Sequence, residues 1–188
     1  MEAGMAVESL DIPLGTTMPS FDLPDPFGRQ YRSETMPGSK GLLIVFTCNH
    51  CPYAKAVWPR IIVLAQRAKT KGINTVGINP NIHPEYPEDA PEVMKERIRE
   101  WNIPFPYLVD ESQDVARAYK AQCTPDLYLF DGSKNLVYHG RVDDNWQDES
   151  KVTRRELQDA IDQLAAGKQI PSKQVPSIGC SIKFRNQN

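Results

Sequence analysis

The stretch GLLIVFTCNHCPYAK, residues 41 to 55, joins an unbroken apolar run to two cysteines and then to a helical pattern. The apolar run lacks the polar alternation of a half-exposed strand, so it predicts a strand that is buried on both faces of a sheet. Over residues 52–71, apolar side chains recur at spacings of three and four, which predicts a helix. Cys48 and Cys51 therefore lie where a buried strand passes into a helix.

Strands and helices alternate along the chain after this point. A second buried strand is predicted at 73–79 and a short one before Asp110, with helices over 92–101 and 112–122. Such alternation favours parallel strands joined by right-handed crossovers. Two further runs, DLYLFD and NLVYHG, are joined by the turn DGSK and predict an antiparallel hairpin at one edge. The fold class is therefore α/β, with a mixed central sheet and helices on both faces.

The two ends of the chain carry weaker patterns. Residues 1–17 predict an irregular lead-in segment, and a β-hairpin is predicted next, in the stretch SFDLPDPFGRQYRS. The last helix is predicted to begin at Thr153, because Thr153 and Glu156 have the spacing of a capping box. One domain then spans 18–167, and 168–188 form a C-terminal tail that we expect to pack on the domain.

Composition and charge exclude several classes of function. The chain has 188 residues, a formal net charge of −2 and a pI near 5.9, so no overall positive field favours nucleic acid or an anionic membrane surface. No apolar run is long enough for a membrane-spanning helix, and the N-terminus shows no secretory pattern. We therefore expect a cytoplasmic protein without nucleic-acid or membrane partners. In a reducing compartment, paired cysteines indicate redox or metal chemistry.

The position of the cysteine pair favours redox chemistry. The amino end of a helix presents unpaired N–H groups and a partial positive charge, and both stabilise a thiolate. His50, between the cysteines, can add positive charge or a hydrogen-bond donor. We therefore predict that Cys48 is an exposed attacking thiol with a lowered pKa. Cys51 is predicted to be a more buried resolving thiol, close enough to Cys48 to form a disulfide.

Two other interpretations of the pair stay open. The cysteines can be buried structural residues. They can also be half of a zinc site completed by Cys123, Cys180 or His83, although the sequence has no second CxxC and no paired histidines. We expect neither a metal nor a cofactor, and a redox-inactive or zinc-bound interaction domain is kept as an alternative function.

The order of strand, CxxC and helix, followed by Thr124-Pro125 before a hairpin and a final helix, resembles the thioredoxin superfamily. The segments FDLPDPFGRQYRS and GLLIVFTCNHCPY are similar to the alkyl hydroperoxide reductase and peroxiredoxin branch. The set TCNHCPYAK, CTPDLYLFD and YHGRVDD resembles peroxiredoxin-like members that carry a CxxC. Over residues 18–167, the resemblance implies a thioredoxin-like three-layer α/β/α fold with an N-terminal β-hairpin extension.

The resemblance also implies an activity and a site. In the superfamily, a cis-proline faces the dithiol, and the backbone of the preceding residue binds an extended thiol partner. Pro125 is therefore expected to be cis and Thr124 to face the dithiol. The implied function is a thiol–disulfide oxidoreductase that requires no cofactor. Its implied partner is a protein or small molecule that contains a thiol or a disulfide.

The sequence departs from the peroxiredoxin pattern around the cysteines. Peroxiredoxins place a Pro seven residues and a Thr or Ser three residues before the peroxidatic cysteine. Before Cys51 these positions hold Ile44 and Cys48, and before Cys48 they hold Gly41 and Val45. A thiol-dependent peroxidase, a peroxiredoxin-like antioxidant, is therefore the alternative function rather than the first interpretation.

The proton acceptor of the dithiol is not identified by the sequence. Thioredoxins have a buried carboxylate under the dithiol, but the strand GLLIVFT contains no acid. Asp143 and Asp144 can reach the site from a downstream loop, although we expect that loop to be solvated.

Cys123 and Cys180 are candidate additional redox thiols. Cys123 lies two residues before Pro125, so the implied fold places it beside the dithiol, where it can act as a third thiol or as a small apolar side chain in the core. Cys180, in the tail, can form a disulfide with Cys123 or exchange with the dithiol.

Overall fold

The structure of the protein, a computed structural model, describes residues 6–185. Residues 1–5 of the predicted lead-in segment and 186–188 of the predicted tail lie outside the described residues. The strands are β1 (Ala6–Glu8), β2 (Asp22–Pro24), β3 (Gln30–Arg32), β4 (Gly41–Phe46), β5 (Ile73–Asn79), β6 (Tyr107–Val109), β7 (Cys123–Thr124), β8 (Asp126–Asp131), β9 (Leu136–Gly140) and β10 (Ile178–Ser181). The α-helices are α1 (Pro52–Thr70), α2 (Pro91–Glu100), α3 (Asp114–Ala118) and α4 (Glu156–Ala165). Within 6–185, no helix combines the length and the apolar content needed to cross a lipid bilayer.

The central sheet is mixed, as the alternation of strands and helices predicts. Its strand order is β6-β5-β4-β8-β9. Strands β4, β5 and β6 are parallel, whereas β8 is antiparallel to β4 and β9 is antiparallel to β8. Gly41 pairs with Ile73 on one side and with Asp131 on the other, so β4 has a neighbour along both edges. This central position explains the unbroken apolar run of the sequence.

Successive side chains of β4 point to opposite faces of the sheet, and each face has its own core. On one face the β4 side chains pack with α3 and the β2–β3 hairpin, and on the other they pack with α1 and α4. The first face buries Leu42, Ile44 and Phe46 together with Phe21, Leu23, Val115 and Ala116. The second buries Leu43 and Val45 together with Val57, Ile61, Leu157 and Ile161. The predicted three-layer arrangement and the predicted hairpin extension are both confirmed.

The two ends of the chain form a second, small sheet of order β1-β10-β7. Both of its pairings are antiparallel. The prediction that the lead-in segment is irregular is therefore wrong for Ala6–Glu8. A strand of three residues carries no detectable local pattern, and its partner β10 lies at the other end of the chain. The domain boundaries at 18 and 167 stay a prediction.

The last helix begins at Glu156 rather than at Thr153, so the predicted capping box is wrong. The Thr153 backbone N–H donates to the Asp144 carboxylate at 2.8 Å, and the Thr153 hydroxyl bonds to the same carboxylate. Thr153 is therefore held by an acid nine residues earlier in the chain instead of capping α4. The Asp144 carboxylate is therefore engaged by Thr153.

Candidate active site

The cysteine pair lies at the carboxyl end of β4, where α1 begins. Cys51 is the N-cap residue of α1, with φ −66° and ψ 126°, and Pro52 occupies the first helical position. Proline is tolerated there because the first helical N–H has no partner within the helix. The loops that follow the parallel strands β4 and β5 leave the same edge of the sheet, so they meet at this point.

Thr124 contacts both sulfur atoms of the pair. Its hydroxyl oxygen lies 3.2 Å from Cys48 Sγ, and its carbonyl oxygen lies 3.2 Å from Cys51 Sγ. The Thr124–Pro125 peptide bond is cis, as the resemblance implies. The structure therefore brings together the CxxC and the Thr-Pro pair from opposite halves of the sequence.

The dithiol is closed off from solvent, which corrects the prediction of an exposed Cys48. Cys48 and Cys51 are both 0% exposed, and they form a cluster with Ala54 and Cys180. Half-buried Tyr53 packs against this cluster. The cover comes from β10, a strand of the tail whose position the local sequence does not reveal. Cys180, at 3% exposure, is part of that cover.

The prediction of a lowered pKa for Cys48 is also wrong in this closed arrangement. Burial is the largest cause that raises the pKa of the Cys48 thiol, followed by its hydrogen bond with Cys51 and the nearby negative charge of Asp89. The hydroxyl of Thr124 acts in the opposite direction but is a weaker influence. Desolvation therefore outweighs the field of the helix at Cys48.

The thiolate of the cluster is favoured on Cys51 instead. Hydrogen bonds from Cys180 and then from Cys48 are the main causes that lower the pKa of Cys51, and the backbone N–H groups of Ala54 and Cys180 act in the same direction. The Thr124 carbonyl oxygen opposes this shift, since it can accept a hydrogen bond only from a protonated thiol. Burial of the Cys51 sulfur also acts to raise its pKa, but the hydrogen bonds from Cys180 and Cys48 are the larger influences, so the pKa of Cys51 is lowered.

Asp89 is a buried carboxylate at the site that the sequence did not identify. One of its oxygens accepts a hydrogen bond from the backbone N–H of Asn49 at 2.6 Å and from the side chain of Asn79 at 3.0 Å. The other oxygen pairs with His50 Nδ1. Asp89 therefore holds the two residues that lie between the cysteines.

His50 turns toward Asp89 and stacks on an aromatic ring. Its ring lies 4.7 Å from that of Tyr86, nearly parallel, and its Nδ1 atom pairs with Asp89. The predicted action of His50 was to supply charge or a donor to Cys48. In the structure its Nδ1 atom bonds to Asp89, and one of its ring nitrogens lies within 4.8 Å of Cys48 Sγ.

Parallel-strand topology is the signal that points to Asp89. The acid lies in the long loop after β5, and the cysteines lie in the loop after β4. Since β4 and β5 are adjacent and parallel, both loops emerge at the same edge. Polar residues in such neighbouring loops are natural candidates for one site. The segment PED before α2 could therefore have been considered.

Asp143, the other acid considered from the sequence, is engaged elsewhere. It is buried and forms an ion pair with Arg60 at 2.6 Å. Arg60 also donates to the backbone carbonyls of Asn145 and Trp146, at 2.8 and 2.6 Å. The expectation that Asp143 lies in a solvated loop is therefore wrong, because its carboxylate is buried and paired with Arg60. Trp146 in turn packs on Tyr53, with ring centroids 4.0 Å apart.

Cys123 and Cys180 differ sharply in their relation to the dithiol. Thr124 faces Cys48, so its neighbour Cys123 points to the opposite side of β7. There the Cys123 thiol contacts the Pro125 carbonyl at 3.6 Å, and burial raises the pKa of that thiol. Cys180 pairs with Thr124 across the small sheet and lies on the dithiol side. This arrangement does not suit a disulfide between Cys123 and Cys180.

Among residues 6–185, the side chains placed to hold a metal ion differ from the zinc ligands that the sequence suggests. Ligand atoms of Cys48, His50 and Asp89 lie within 4.8 Å of one another. Neither Cys123 nor Cys180 belongs to that group, and the His83 ring accepts a hydrogen bond from the backbone N–H of Glu85. Both Asp89 oxygens already have protein partners, which accounts for the acid without an ion.

Comparison with known proteins agrees with this geometry. Residues 14–139 match the model of the AhpC/TSA family, which is more than half of the chain. The chain belongs to the AhpC/TSA family. A search of curated proteins found no match.

Solved structures show that this AhpC/TSA protein has a thioredoxin fold. It is 44% identical to an uncharacterized conserved protein from Geobacillus kaustophilus, with 98% of each chain covered and a TM-score of 0.93. Peroxidoxin BcpB from Mycobacterium tuberculosis is 15% identical, with 83% of this chain and 98% of that chain covered and a TM-score of 0.63. The thioredoxin domain of a thiol-disulfide oxidoreductase from Bacteroides vulgatus is 19% identical, with 69% and 89% covered and a TM-score of 0.58. The family and the fold together support a redox function of the thioredoxin-like oxidoreductase class.

Proposed function

We propose that this AhpC/TSA protein is a thiol–disulfide oxidoreductase whose reacting groups are Cys48 and Cys51. The observation that carries the proposal is the placement of both sulfurs against Thr124, each 3.2 Å from one of its oxygens. Two thiols that share a hydrogen bond at a helix start are arranged to exchange with a disulfide.

The reaction begins when β10 moves away, which lets solvent reach Cys48 and removes the Cys180 donors from Cys51. A proton transfer within the pair follows. The Cys48 thiol gives its proton to the Cys51 thiolate along the hydrogen bond between them, which leaves the negative charge on Cys48. The Cys48 thiolate attacks one sulfur of the substrate disulfide, and the other substrate sulfur leaves as a thiolate. The product is a mixed disulfide between Cys48 and the substrate.

Resolution of the mixed disulfide completes the two-electron transfer. Cys51 loses its proton to the departed substrate thiolate and attacks Cys48 Sγ. The bond between Cys48 and the substrate breaks, the second substrate sulfur leaves, and a Cys48–Cys51 disulfide forms. The steps are reversible, so the same groups oxidise a dithiol when the disulfide form is the starting state.

The substrate is a protein or small molecule that carries a disulfide or a thiol. The edge of β7 beside the dithiol is paired with β10, and once β10 moves this edge offers backbone hydrogen bonds to an extended segment, which supports a peptide substrate. Access to the sulfurs requires β10 to move, because both are fully buried in the closed arrangement.

Reduction of a peptide disulfide by the reduced protein tests the proposal. We expect Cys48→Ser to abolish activity and Cys51→Ser to accumulate a mixed disulfide through Cys48, detected by mass spectrometry. Cys123→Ser is the matched control, since Cys123 faces away from the dithiol, and it should retain activity. Full activity in Cys48→Ser would refute the assignment of the attacking thiol.

Peroxide consumption with an external dithiol distinguishes the alternative. If hydrogen peroxide oxidises Cys48 faster than a peptide disulfide does, the protein is a thiol-dependent peroxidase and the proposal is wrong. A slower reaction with peroxide supports the disulfide as the substrate.

A further inference from the structure

The tail strand β10 lies against the edge that faces the dithiol. Cys180 pairs with Thr124 and Ser181 with Cys123, and the pairing continues through a hydrogen bond from Ile182 N–H to the Gln122 carbonyl at 2.9 Å. This is an extended antiparallel segment at the position where the proposed substrate peptide would add to the sheet. In the closed arrangement, the chain itself fills that edge.

The strand is held in place on both sides. Its other edge pairs with β1, and the Ser177 backbone N–H donates to Ser9 Oγ at 2.9 Å. Beyond β10, the Lys183 backbone N–H donates to Asn81 Oδ1 at 2.9 Å, and Gln113 donates to the Lys183 carbonyl at 2.8 Å. These contacts make the docked position of β10 a defined one rather than a loose cover.

The residue that β10 brings to the dithiol is a cysteine. Cys180 is buried in one cluster with Cys48 and Cys51, and its thiol forms a hydrogen bond with the Cys51 sulfur. A bound substrate strand would present its own cysteine to the pair in the same manner. We propose that Cys180 is a third thiol of the reaction and forms a disulfide with Cys51. The proposal rests on the function proposed above.

The step is an internal thiol–disulfide exchange and needs no added oxidant. It starts from the Cys48–Cys51 disulfide that reduction of a substrate leaves behind. The Cys180 sulfur attacks Cys51 Sγ, the Cys48–Cys51 bond breaks, and a Cys51–Cys180 bond forms. Cys48 leaves as a thiolate and takes up the proton that Cys180 loses, so atoms and electrons balance. The new disulfide holds β10 on the edge of β7 where the substrate peptide would bind, and it leaves Cys48 reduced.

Disulfide mapping of Cys48→Ser, oxidised with glutathione disulfide, tests the proposal without an activity assay. The Cys51 thiolate attacks glutathione disulfide, which puts one glutathione on Cys51 and releases the other as a thiolate. The Cys180 sulfur should then attack Cys51 Sγ and displace the bound glutathione. We expect Cys51–Cys180 as the main disulfide found by mass spectrometry. The double variant Cys48→Ser/Cys180→Ser should keep glutathione on Cys51, and Cys48→Ser/Cys123→Ser should behave as Cys48→Ser does. Stable glutathione on Cys51 beside a free Cys180 would overturn the proposal.

The wild-type protein provides a second measurement that does not depend on the folding of a variant. When the reduced protein is titrated with glutathione disulfide, we expect both Cys48–Cys51 and Cys51–Cys180 disulfides. Finding Cys48–Cys51 alone at all ratios contradicts a third thiol. A Cys51–Cys180 disulfide in a protein that cannot reduce peptide disulfides would refute the proposed function alone. Peptide reduction without any Cys51–Cys180 disulfide would refute this inference alone.

Discussion

Gly179 lies so close to Thr124 that a Cβ atom at position 179 would be 2.1 Å from the Thr124 carbonyl oxygen. The obstacle is backbone, so it cannot be relieved by a rotamer change. We expect Gly179→Ala to displace β10 and expose the dithiol. If the docked state loses about 1.4 kcal/mol, the open population and the alkylation rate of Cys48 and Cys51 rise about tenfold. Alkylation by iodoacetamide, followed by mass spectrometry, measures this rate.

Ile178→Ala is the control for this change, because Ile178 belongs to the same strand and its side chain is exposed. Its alkylation rate should stay close to that of the wild type. Equal rates in Gly179→Ala and Ile178→Ala would show that β10 does not control access to the sulfurs.

Asp89→Asn should weaken the loop between the cysteines and change the titration of Cys48. The amide keeps one acceptor oxygen but loses the charge, and we expect a cost of about 1–3 kcal/mol in the free energy of unfolding. Removing the negative charge should also lower the pKa of Cys48, because that charge contributes to raising it. Urea unfolding and the pH profile of Cys48 alkylation measure the two effects.

Glu88→Gln provides the comparison for Asp89→Asn, since Glu88 is exposed. It should leave both readouts unchanged. An unshifted alkylation profile in Asp89→Asn would mean that Asp89 has only a structural role.

The lowered pKa of Cys51 predicts a pH-dependent stability of the reduced protein. Below the ordinary thiol pKa of about 9, the folded state has released a proton that the unfolded state retains, so stability rises with pH. Relative to Cys51→Ser, the free energy of unfolding should increase from about pH 5 to pH 8, by at most about 1.4 kcal/mol per pH unit. Urea unfolding with a reductant present measures the difference.

The raised pKa values of Cys48 and Cys180 act in the opposite direction, but only from about pH 9 upward, because their stabilising effect is complete below the unfolded pKa. A flat difference between wild type and Cys51→Ser across the lower range would contradict a thiolate on Cys51.

Asp143→Ala should be strongly destabilising. The ion pair of Asp143 with Arg60 is buried, with side chains 2% and 6% exposed, and the substitution leaves the guanidinium without its carboxylate. Breaking one side of such a pair costs about 3–5 kcal/mol. Asp144→Ala, which removes exposed hydrogen bonds to Thr153, should cost no more than about 1.5 kcal/mol. Thermal or urea unfolding that ranks the two variants equally would contradict this account.

Protein purified without a chelator should contain no stoichiometric zinc. Although Cys48, His50 and Asp89 lie close together, both Asp89 oxygens already accept hydrogen bonds or pair with His50. Elemental analysis measures the metal content. One zinc per chain that is lost in His50→Ala would instead support the zinc-bound alternative.

Local patterns predicted much of the fold. The apolar run that became β4, the helix from Pro52, the β2–β3 hairpin and the β8–β9 hairpin all follow from spacing within a few residues. The same patterns placed the cysteines at a helix start. They failed for β1, whose partner Cys180 lies at the other end of the chain. They also failed for the start of α4, because Thr153 bonds to Asp144 in the preceding loop instead of capping the helix.

By itself, the sequence determined a mixed α/β fold in which a buried central strand is followed by two cysteines at the start of a helix. It could do so because the apolar run and the helical spacing both lie within one short stretch of adjacent residues. Only the tertiary structure decided that the dithiol is covered, that Asp89 holds the segment between the cysteines, and that Cys180 rather than Cys123 joins them. Each of these depends on strand pairing and loop placement between distant segments. The burial that raises the pKa of Cys48, and the donors that lower that of Cys51, exist only after those segments have packed together.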